Sequence, residues 1–296
     1  MKPALGPVGV WLYGGRPATI AQRRNALTRI DRLGYGSVWY GEGVGGRDAF
    51  ARAAIQLAAT ERLVVGTGIA NIWSRPAPTM QAGGLALAEA YPGRFVLGIG
   101  AGLAAQAERV GEKFEKPLTH MRNYLSEMDS EAALNPPPVP FPRVLAAIGP
   151  KMLELSRDAA DGAHPFFMPL EHTVQAREIL GPGKLLIPHQ SVFLEPDPVK
   201  ARHTARELLG VVLNQGAPAY AKAWRRFGYA EDRETISDRF VDAAIAWGDE
   251  EAIAKRVNEQ LDAGADHVLV SPVAPDLNAA VDQLERLAPA LGLTSN

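Results

Sequence analysis

Apolar and polar positions along the chain repeat one unit: an amphipathic helix, a glycine, then a short apolar run. Ala26, Ile30 and Leu33 share one helical face and precede Gly34 and the run 37–40. Met152, Leu155 and Ala159 share another and precede Gly162 and the run 163–167. Ile253, Val257 and Leu261 follow a capping Asp249 and precede Gly264 and the run 267–271. Positions three and four apart fall on one side of a helix, so each stripe is a face to be buried. A glycine just past the last turn can take the left-handed conformation that closes a helix.

The runs 63–69, 95–99, 144–147 and 191–194 are apolar almost throughout and do not alternate. Strands of that kind suit a parallel sheet covered by helices on both faces. With residues 8–13 they give about eight strands alternating with helices, which predicts an α/β fold, a (β/α)8 TIM barrel with short insertions. Residues 1–296 read as a single domain, because no stretch has the composition of a linker. A helix over 79–91 carries Gly83 and Gly84 on the face with Met80 and Leu87, which predicts close packing against a neighbour. Five prolines within 135–142 predict a rigid, exposed connection, and the charged, aromatic stretch 216–236 predicts extra helices before the last strand.

Composition removes several classes of function. Lys plus Arg is 31 and Asp plus Glu is 33, for a net charge of −2, so the chain has no basic footprint for nucleic acid. With 0 cysteines there is no disulfide framework, thiolate metal site or cysteine nucleophile, which fits a reducing, cytoplasmic setting. The apolar start is short and broken by Pro7, Gly9 and Gly14, and reads as a first strand rather than a leader or a membrane span. The 6 histidines form neither H-x-H nor H-E-x-x-H, so no metal is expected. There is no G-x-S-x-G elbow and no P-loop, and Gly98-Ile-Gly-Ala-Gly-Leu fails to complete a dinucleotide fingerprint.

In a barrel of this kind chemistry gathers where strands end and loops begin. Those points carry Trp11 and Tyr13; Tyr40 to Gly43 with Glu42; Gly68, Ile69, Ala70 and Asn71; Gly98, Gly100 and Gly102; Gly149; His164 to Thr173; His189 and Glu195; and Ser271. Glycines at neighbouring strand tips either turn tight corners or let a flat ligand approach the backbone. Adjacent glycine-rich tips on the third and fourth strands favour a planar ligand. The sequence FMPLEHT runs from a strand into a helix whose start, with His172 and Thr173, either holds a phosphate or is simply capped. Glu42 and Glu195 could form a carboxylate pair, but the fourth tip offers Ala101 and Gly102 rather than an acid. His267, ahead of the last strand, reads as structural.

The stretch ERLVVGTGIANIWSRPAPTMQAGGLALAEAYPGRFVLGIGAG resembles the signature of the bacterial luciferase-like superfamily. In particular it is similar to actinobacterial oxidoreductases that use the deazaflavin coenzyme F-420. LGYGSVWYGE, EKPLTHMRNYL, AAIGPKMLELSRDAADGAHPFF, EHTVQAREILGP, AWGDEEAIAKRV and AGADHVLV extend the resemblance over nearly the whole chain. The resemblance implies a cofactor ring at the strand tips, backed by a non-prolyl cis peptide between Gly68 and Ile69, with Trp11, Ala70 and Asn71 around it. It places Glu42 beside the ring, and Gly102, Gly149, Met168, His172 and Thr173 along the cofactor's tail. It implies hydride transfer between F-420 and a small organic substrate. FMN-dependent monooxygenation and non-catalytic deazaflavin binding are the alternatives. It also implies a homodimer, with no nucleic-acid or membrane partner. The chain departs from the sugar-phosphate dehydrogenases of the superfamily: Gly43 stands where they carry a histidine, and Leu103 where they carry a glutamate. Glu42, Tyr13 and His164 are therefore the candidates for catalysis by proton transfer.

Overall fold

The computed structural model describes residues 4–12, 18–214 and 218–294. Its strands are β1 (Val8–Trp11), β2 (Ser37–Tyr40), β3 (Val64–Thr67), β4 (Ala70–Asn71), β5 (Phe95–Gly100), β6 (Arg143–Leu145), β7 (Gly162–Ala163), β8 (Leu185–Leu186), β9 (His189–Leu194), β10 (Ile245–Gly248) and β11 (Val268–Pro272). Every pairing among them is parallel.

β1, β2, β3, β5, β6, β7 and β8 pair in sequence order. Only Ile187 and Pro188 separate β8 from β9, and β9 pairs with β11, which returns to β1. The run 185–194 is thus one strand in two halves, and it closes the eight-stranded ring of a TIM-like barrel. Proline has no N–H to offer a ladder, which is why Pro188 divides that run and why β7 stops short of Pro165. The expected strand 163–167 is therefore mostly a connecting segment. The expected strand 63–69 is also divided: β3 ends at Thr67, the Gly68–Ile69 peptide is cis as anticipated, and β4 resumes against β5. β8 and β10 were not anticipated. β10 pairs only with β9, outside the ring, and has no alternating pattern to mark it.

The helix-closing glycines are found at Gly34 (φ +84°) and Gly264 (φ +105°), beyond helices Ile20–Arg32 and Glu250–Asp262. Asp249 caps the latter through Ala252 N–H, at 2.9 Å. Gly162 differs from the expectation. It opens β7, where a Cβ would run into Leu185, so it is needed for strand contact rather than for a cap. Gly83 and Gly84 in helix Ala77–Ala90 admit the rings of Phe50 and Phe141, as close packing requires. The stretch after residue 216 does form helices, Pro218–Arg226 and Ala230–Thr235, and they share an aromatic cluster of Phe167, Trp224, Tyr229 and Phe240 with helix Asp238–Ala244.

Inside the ring the core is Trp39, Val64, Val96, Val144, Leu185 and Leu269. Trp39 is wholly buried, and a Cβ on Gly66 would run into its indole. At Gly98 a Cβ would run into the Thr67 carbonyl of the neighbouring strand, with the indole edge farther off at 3.3 Å. Gly66 therefore makes room for a side chain and Gly98 for the neighbouring strand's backbone, neither for a ligand. Below Trp39 a directed chain of bonds fixes the barrel floor. Trp39 Nε1 donates to Ser37 Oγ at 2.9 Å, Ser37 Oγ meets His267 Nε2 at 2.6 Å, and His267 Nδ1 meets Gly6 O at 2.8 Å. Because a carbonyl only accepts, Nδ1 carries the proton and Nε2 accepts from the serine. His267 is structural, as its position suggested.

Candidate active site

Above Trp39 the tips of β2, β3 and β5 stand side by side. Thr67 bridges the break in β3, its Oγ1 donating to Gly98 O at 2.8 Å and accepting from Gly98 N at 2.9 Å. Backbone bonds Gly68 N to Tyr40 O (2.7 Å), Glu42 N to Ile69 O (3.0 Å) and Ile72 N to Gly100 O (3.1 Å) hold the cis segment between its neighbours. Gly41, Gly68, Ile69 and Ala101 stay accessible on this surface, and Gly102 is exposed. A Cβ on Gly68 would lie 2.8 Å from Trp11 Nε1 and 3.0 Å from His164 Nε2, and one on Gly41 would lie 3.3 Å from Gly68 O. Gly68 thus has no room for a side chain above Trp11 and His164, and Gly41 has little. Gly100, by contrast, is covered by the Ile69 side chain, whose Cγ1 would be 2.6 Å from a Cβ there.

Glu42 is nearly sealed from water, and every one of its contacts is charge-neutralising. Oε2 accepts from Asn71 N at 2.8 Å and from Arg75 Nη1 at 2.9 Å. Oε1 accepts from Ala49 N at 3.0 Å and from Arg75 Nη2. Arg75 Nη2 also reaches Asp48 Oδ2 at 2.8 Å. A carboxylate so saturated has no lone pair to spare for abstracting a proton, and its work is to fix Asn71 and the start of helix Ala49–Ala58. Asn71 passes the constraint on. Its Nδ2 donates to Gln106 Oε1 at 2.7 Å, its Oδ1 accepts from Trp73 N at 2.9 Å, and Gln106 Oε1 accepts from Leu103 N at 3.1 Å. Ala70 and Asn71 are themselves fully buried, so they support the surface without forming it. Arg75, the hub of this network, escaped the sequence reading. Nothing about a single arginine between Ser74 and Pro76 distinguishes it from the other basic residues.

His164 lies directly behind Gly68. Its Nδ1 meets Ile187 O at 2.7 Å, so Nδ1 bears the hydrogen and Nε2 is a bare acceptor with no hydrogen-bond partner. Burial pushes its pKa down to about 4, which keeps the ring neutral. Trp11 packs with Phe166 (5.0 Å between centroids) and His189 (5.6 Å, edge-on), and Phe166 lies over His189 at 4.0 Å. His189 Nδ1 is likewise buried without a partner. Trp11, Gly68, His164, Phe166 and His189 therefore form one aromatic floor, with Phe166 accessible at its edge. Tyr13 lies outside the described residues.

The segment expected along a cofactor's tail is placed differently from the expectation. Met168 joins the aromatic cluster around Trp224. Thr173 is buried and donates to Gln260 Oε1 at 2.6 Å. His172 is buried with Nε2 toward Ile148 O at 3.3 Å, and burial pushes its pKa down to about 4. These side chains are committed inward because helix Leu170–Leu180 turns that face onto helix Glu250–Asp262 and the aromatic cluster. Gly149, which opens helix Pro150–Ala159, stays accessible, and a Cβ there would sit 3.8 Å from Arg226 Nη1. Glu195 accepts from Asp197 N at 3.0 Å in a local turn, while Glu42 is taken up by Arg75, Asn71 and Ala49. Among the described residues no group of His, Asp and Glu is placed to hold a metal ion. A surface hollow of about 240 Å³ beside β10 is lined by Trp247, Lys255 and Arg256, outside the ring and away from the glycine surface.

Residues 5–267 match the luciferase-like monooxygenase family. The chain belongs to that family. A 5,10-methylenetetrahydromethanopterin reductase of Archaeoglobus fulgidus is 26% identical over 298 residues, covering 84% of this chain and 89% of the relative. The fold superposes on an F-420-dependent secondary alcohol dehydrogenase in complex with an F-420–acetone adduct, with a TM-score of 0.76, 17% identity, and coverage of 98% of this chain and 99% of that one. It also superposes on the oxygenating constituent of 3,6-diketocamphane monooxygenase of Pseudomonas putida in complex with FMN, with a TM-score of 0.68, 14% identity and 95% of each chain covered. At those identities the structural likeness speaks for the fold. Family and relatives together make the luciferase-like chain an enzyme, an oxidoreductase.

Proposed function

We propose that this luciferase-like enzyme transfers a hydride between coenzyme F-420 (8-hydroxy-5-deazaflavin) and a small organic substrate, as the actinobacterial deazaflavin oxidoreductases it resembles do. The observation that carries the reading is the accessible backbone of Gly41 and Gly68, side by side at neighbouring strand tips above the Trp11 floor. A planar ring fits such a surface and a branched substrate alone does not explain it. When bound, the deazaflavin supplies a two-electron hydride donor or acceptor.

The chain's own residues do the rest. Gly68 and Ile69 present backbone to one ring face, and Trp11 and Phe166 exclude water beneath it. The Arg75–Glu42–Asn71 network holds the tips in register, so Glu42 acts by positioning. Neutral His164 keeps an acceptor nitrogen behind Gly68, and with Tyr13 it remains the candidate for handling a proton. Gly102 and Gly149 are the accessible positions along which the tail would run, with the start of helix Pro150–Ala159 and Arg226 near its phosphate. Met168, His172 and Thr173 support that edge from within.

FMN is the second reading, favoured by the FMN-bound 3,6-diketocamphane monooxygenase that shares the fold. Titrating the protein separately with F-420 and FMN, and following fluorescence quenching, separates the two. Saturable quenching of F-420 with weak or no FMN binding is expected. Tight FMN binding without F-420 binding overturns the assignment, and binding of F-420 without turnover on any carbonyl, alcohol or activated alkene would make it a carrier. We read the chain as one domain and as a homodimer, for which Ile55, 44% exposed on helix Ala49–Ala58, is a contact candidate. No helix among the described residues is long and apolar enough to cross a membrane. The absence of cysteine supports a cytoplasmic setting.

A further inference from the structure

We propose that His164 and His189 form an oxygen subsite under Phe166, which receives the hydroxyl group of an uncharged alcohol or the carbonyl of its ketone. The identity of that oxygen as the reacting one rests on the function proposed above.

The two imidazoles come from neighbouring strands of the ring. His164 follows β7 and His189 opens β9, and His189 N donates to Pro165 O at 3.0 Å to tie the two segments together. The residues are only 1% and 5% exposed and stand among aromatic rings. His164 lies 5.3 Å from Trp39 and 6.3 Å from Phe166, and Phe166 covers His189 at 4.0 Å between centroids. The fold does not use up their polar atoms. His164 spends its one N–H on Ile187 O, and its bare Nε2 is aimed at the back of Gly68, 3.0 Å from where a Cβ would be. His189 Nδ1 is sealed in without a partner. By contrast, His267 bonds through both ring nitrogens. A buried polar atom left unmet costs stability, so two of them in one place call for a polar group that the chain does not supply.

The chemistry of the pair limits that group. A hydroxyl donates and accepts at once, so it can donate to His164 Nε2 and accept from His189 when that ring carries its hydrogen on Nδ1. Both rings are neutral, because burial pushes the pKa of His164 down to about 4 and, with His164 adding to it, that of His189 down to about 3. Neutral rings within aromatic walls suit an uncharged oxygen and reject a carboxylate or a phosphate. Phe166 is the cover, since it is partly accessible where the imidazoles are not. Its segment is held from outside the ring. Phe167 takes φ +54°, a costly conformation for a bulky residue, and Trp224 Nε1 donates to its carbonyl at 3.1 Å. In the oxidative direction the alcohol O–H proton passes to His164 Nε2. The electron pair of the C–H bond leaves as hydride to the deazaflavin, and the O–H pair closes the C=O bond. The reverse direction returns both.

The first test needs no cofactor. Histidine nitrogen NMR of the whole chain is followed as cyclopentanol is added, and again with cyclopentanecarboxylate. A saturable shift of the His164 and His189 nitrogens by the alcohol alone, with His172 and His267 unmoved, is expected. No shift, an equal shift of all four rings, or an equal response to the carboxylate overturns the subsite. His189→Leu is the second test. It removes an unmet polar atom, so its Tm should equal or exceed the native value, while the response of His164 to the alcohol disappears. A Tm lower by more than about 5 °C, or failure to fold, makes His189 structural and overturns the proposal. With F-420 bound, the variant should keep native coenzyme affinity and lose about 100-fold in kcat on uncharged secondary alcohols. An unchanged kcat, or a native enzyme that binds F-420 and oxidises none of those alcohols, overturns the catalytic role. If F-420 fails to bind the native protein, the coenzyme reading falls while the NMR result decides the subsite on its own.

Discussion

The carboxylate of Glu42 and the guanidinium of Arg75 face each other across the tip of β2, with side chains only 3% and 7% exposed. Removing one member of a buried pair leaves the other charge without compensation, at a cost of about 3–5 kcal/mol. Here Asp48 still touches Arg75, so Glu42→Gln should sit near the lower end, and Arg75→Met should cost as much by stranding Glu42. The double variant should recover part of the loss, because neither charge then remains. Urea unfolding of the four proteins measures the coupling. Two single variants that each cost under about 1 kcal/mol would show that the pair is open to water and that the network does not organise the tips.

Buried imidazoles set a second expectation. Burial lowers the pKa of His164, His172 and His267 to about 4 and, together with the neighbouring His164, that of His189 to about 3. In the unfolded chain each returns to about 6.5. Between those values the unfolded state binds more protons than the folded one, so stability rises with pH. The contribution is fully present above about pH 6.5 and is lost as pH falls toward 4. Each unmatched proton is worth about 1.4 kcal/mol per pH unit, so four histidines give a slope of several kcal/mol per unit near pH 5. Urea midpoints measured from pH 7 to pH 4.5 should fall steeply. A flat profile between pH 7 and pH 5 would mean that these rings are hydrated in the native state.

Most of the barrel was legible because its helices obey a 3.6-residue period, its strands are uniformly apolar, and glycine ends the helices at Gly34 and Gly264. The division of the seventh strand at Pro188 was not legible as a closure, since it becomes visible only when β7 and β11 flank the two halves. The cis Gly68–Ile69 peptide was anticipated through the family resemblance, and the glycine tips from the residues themselves. The roles of individual residues were harder. Glu42 looks the same in sequence whether it is a free base or an ion-paired strut, and only the approach of Arg75 from beyond β4 decides between them. Thr173 and His172 sit at a helix start, where sequence favours an exposed anion site, yet the helix rotates them toward Gln260 and Ile148. Periodicity fixes which residues share a face. It does not fix which neighbour that face meets.

The last expectation concerns a glycine that admits a side chain. Gly66 faces the Trp39 indole inside the ring, one layer below the accessible Gly68. Gly66→Ala adds a methyl group where the indole already lies, in an interior with no slack, so the ring or β3 must shift at a cost of about 1–3 kcal/mol. Trp39→Phe opens space at the same point but gives up the bond from Trp39 Nε1 to Ser37. The combination should therefore be more stable than the sum of the two losses predicts, and the surplus measures how much of the Gly66→Ala penalty is collision with the indole. Chemical unfolding of the two single variants and the pair supplies the comparison. Strict additivity would mean that Gly66 is required by the β3 backbone itself, and that Trp39 is not what fills the space its missing side chain leaves.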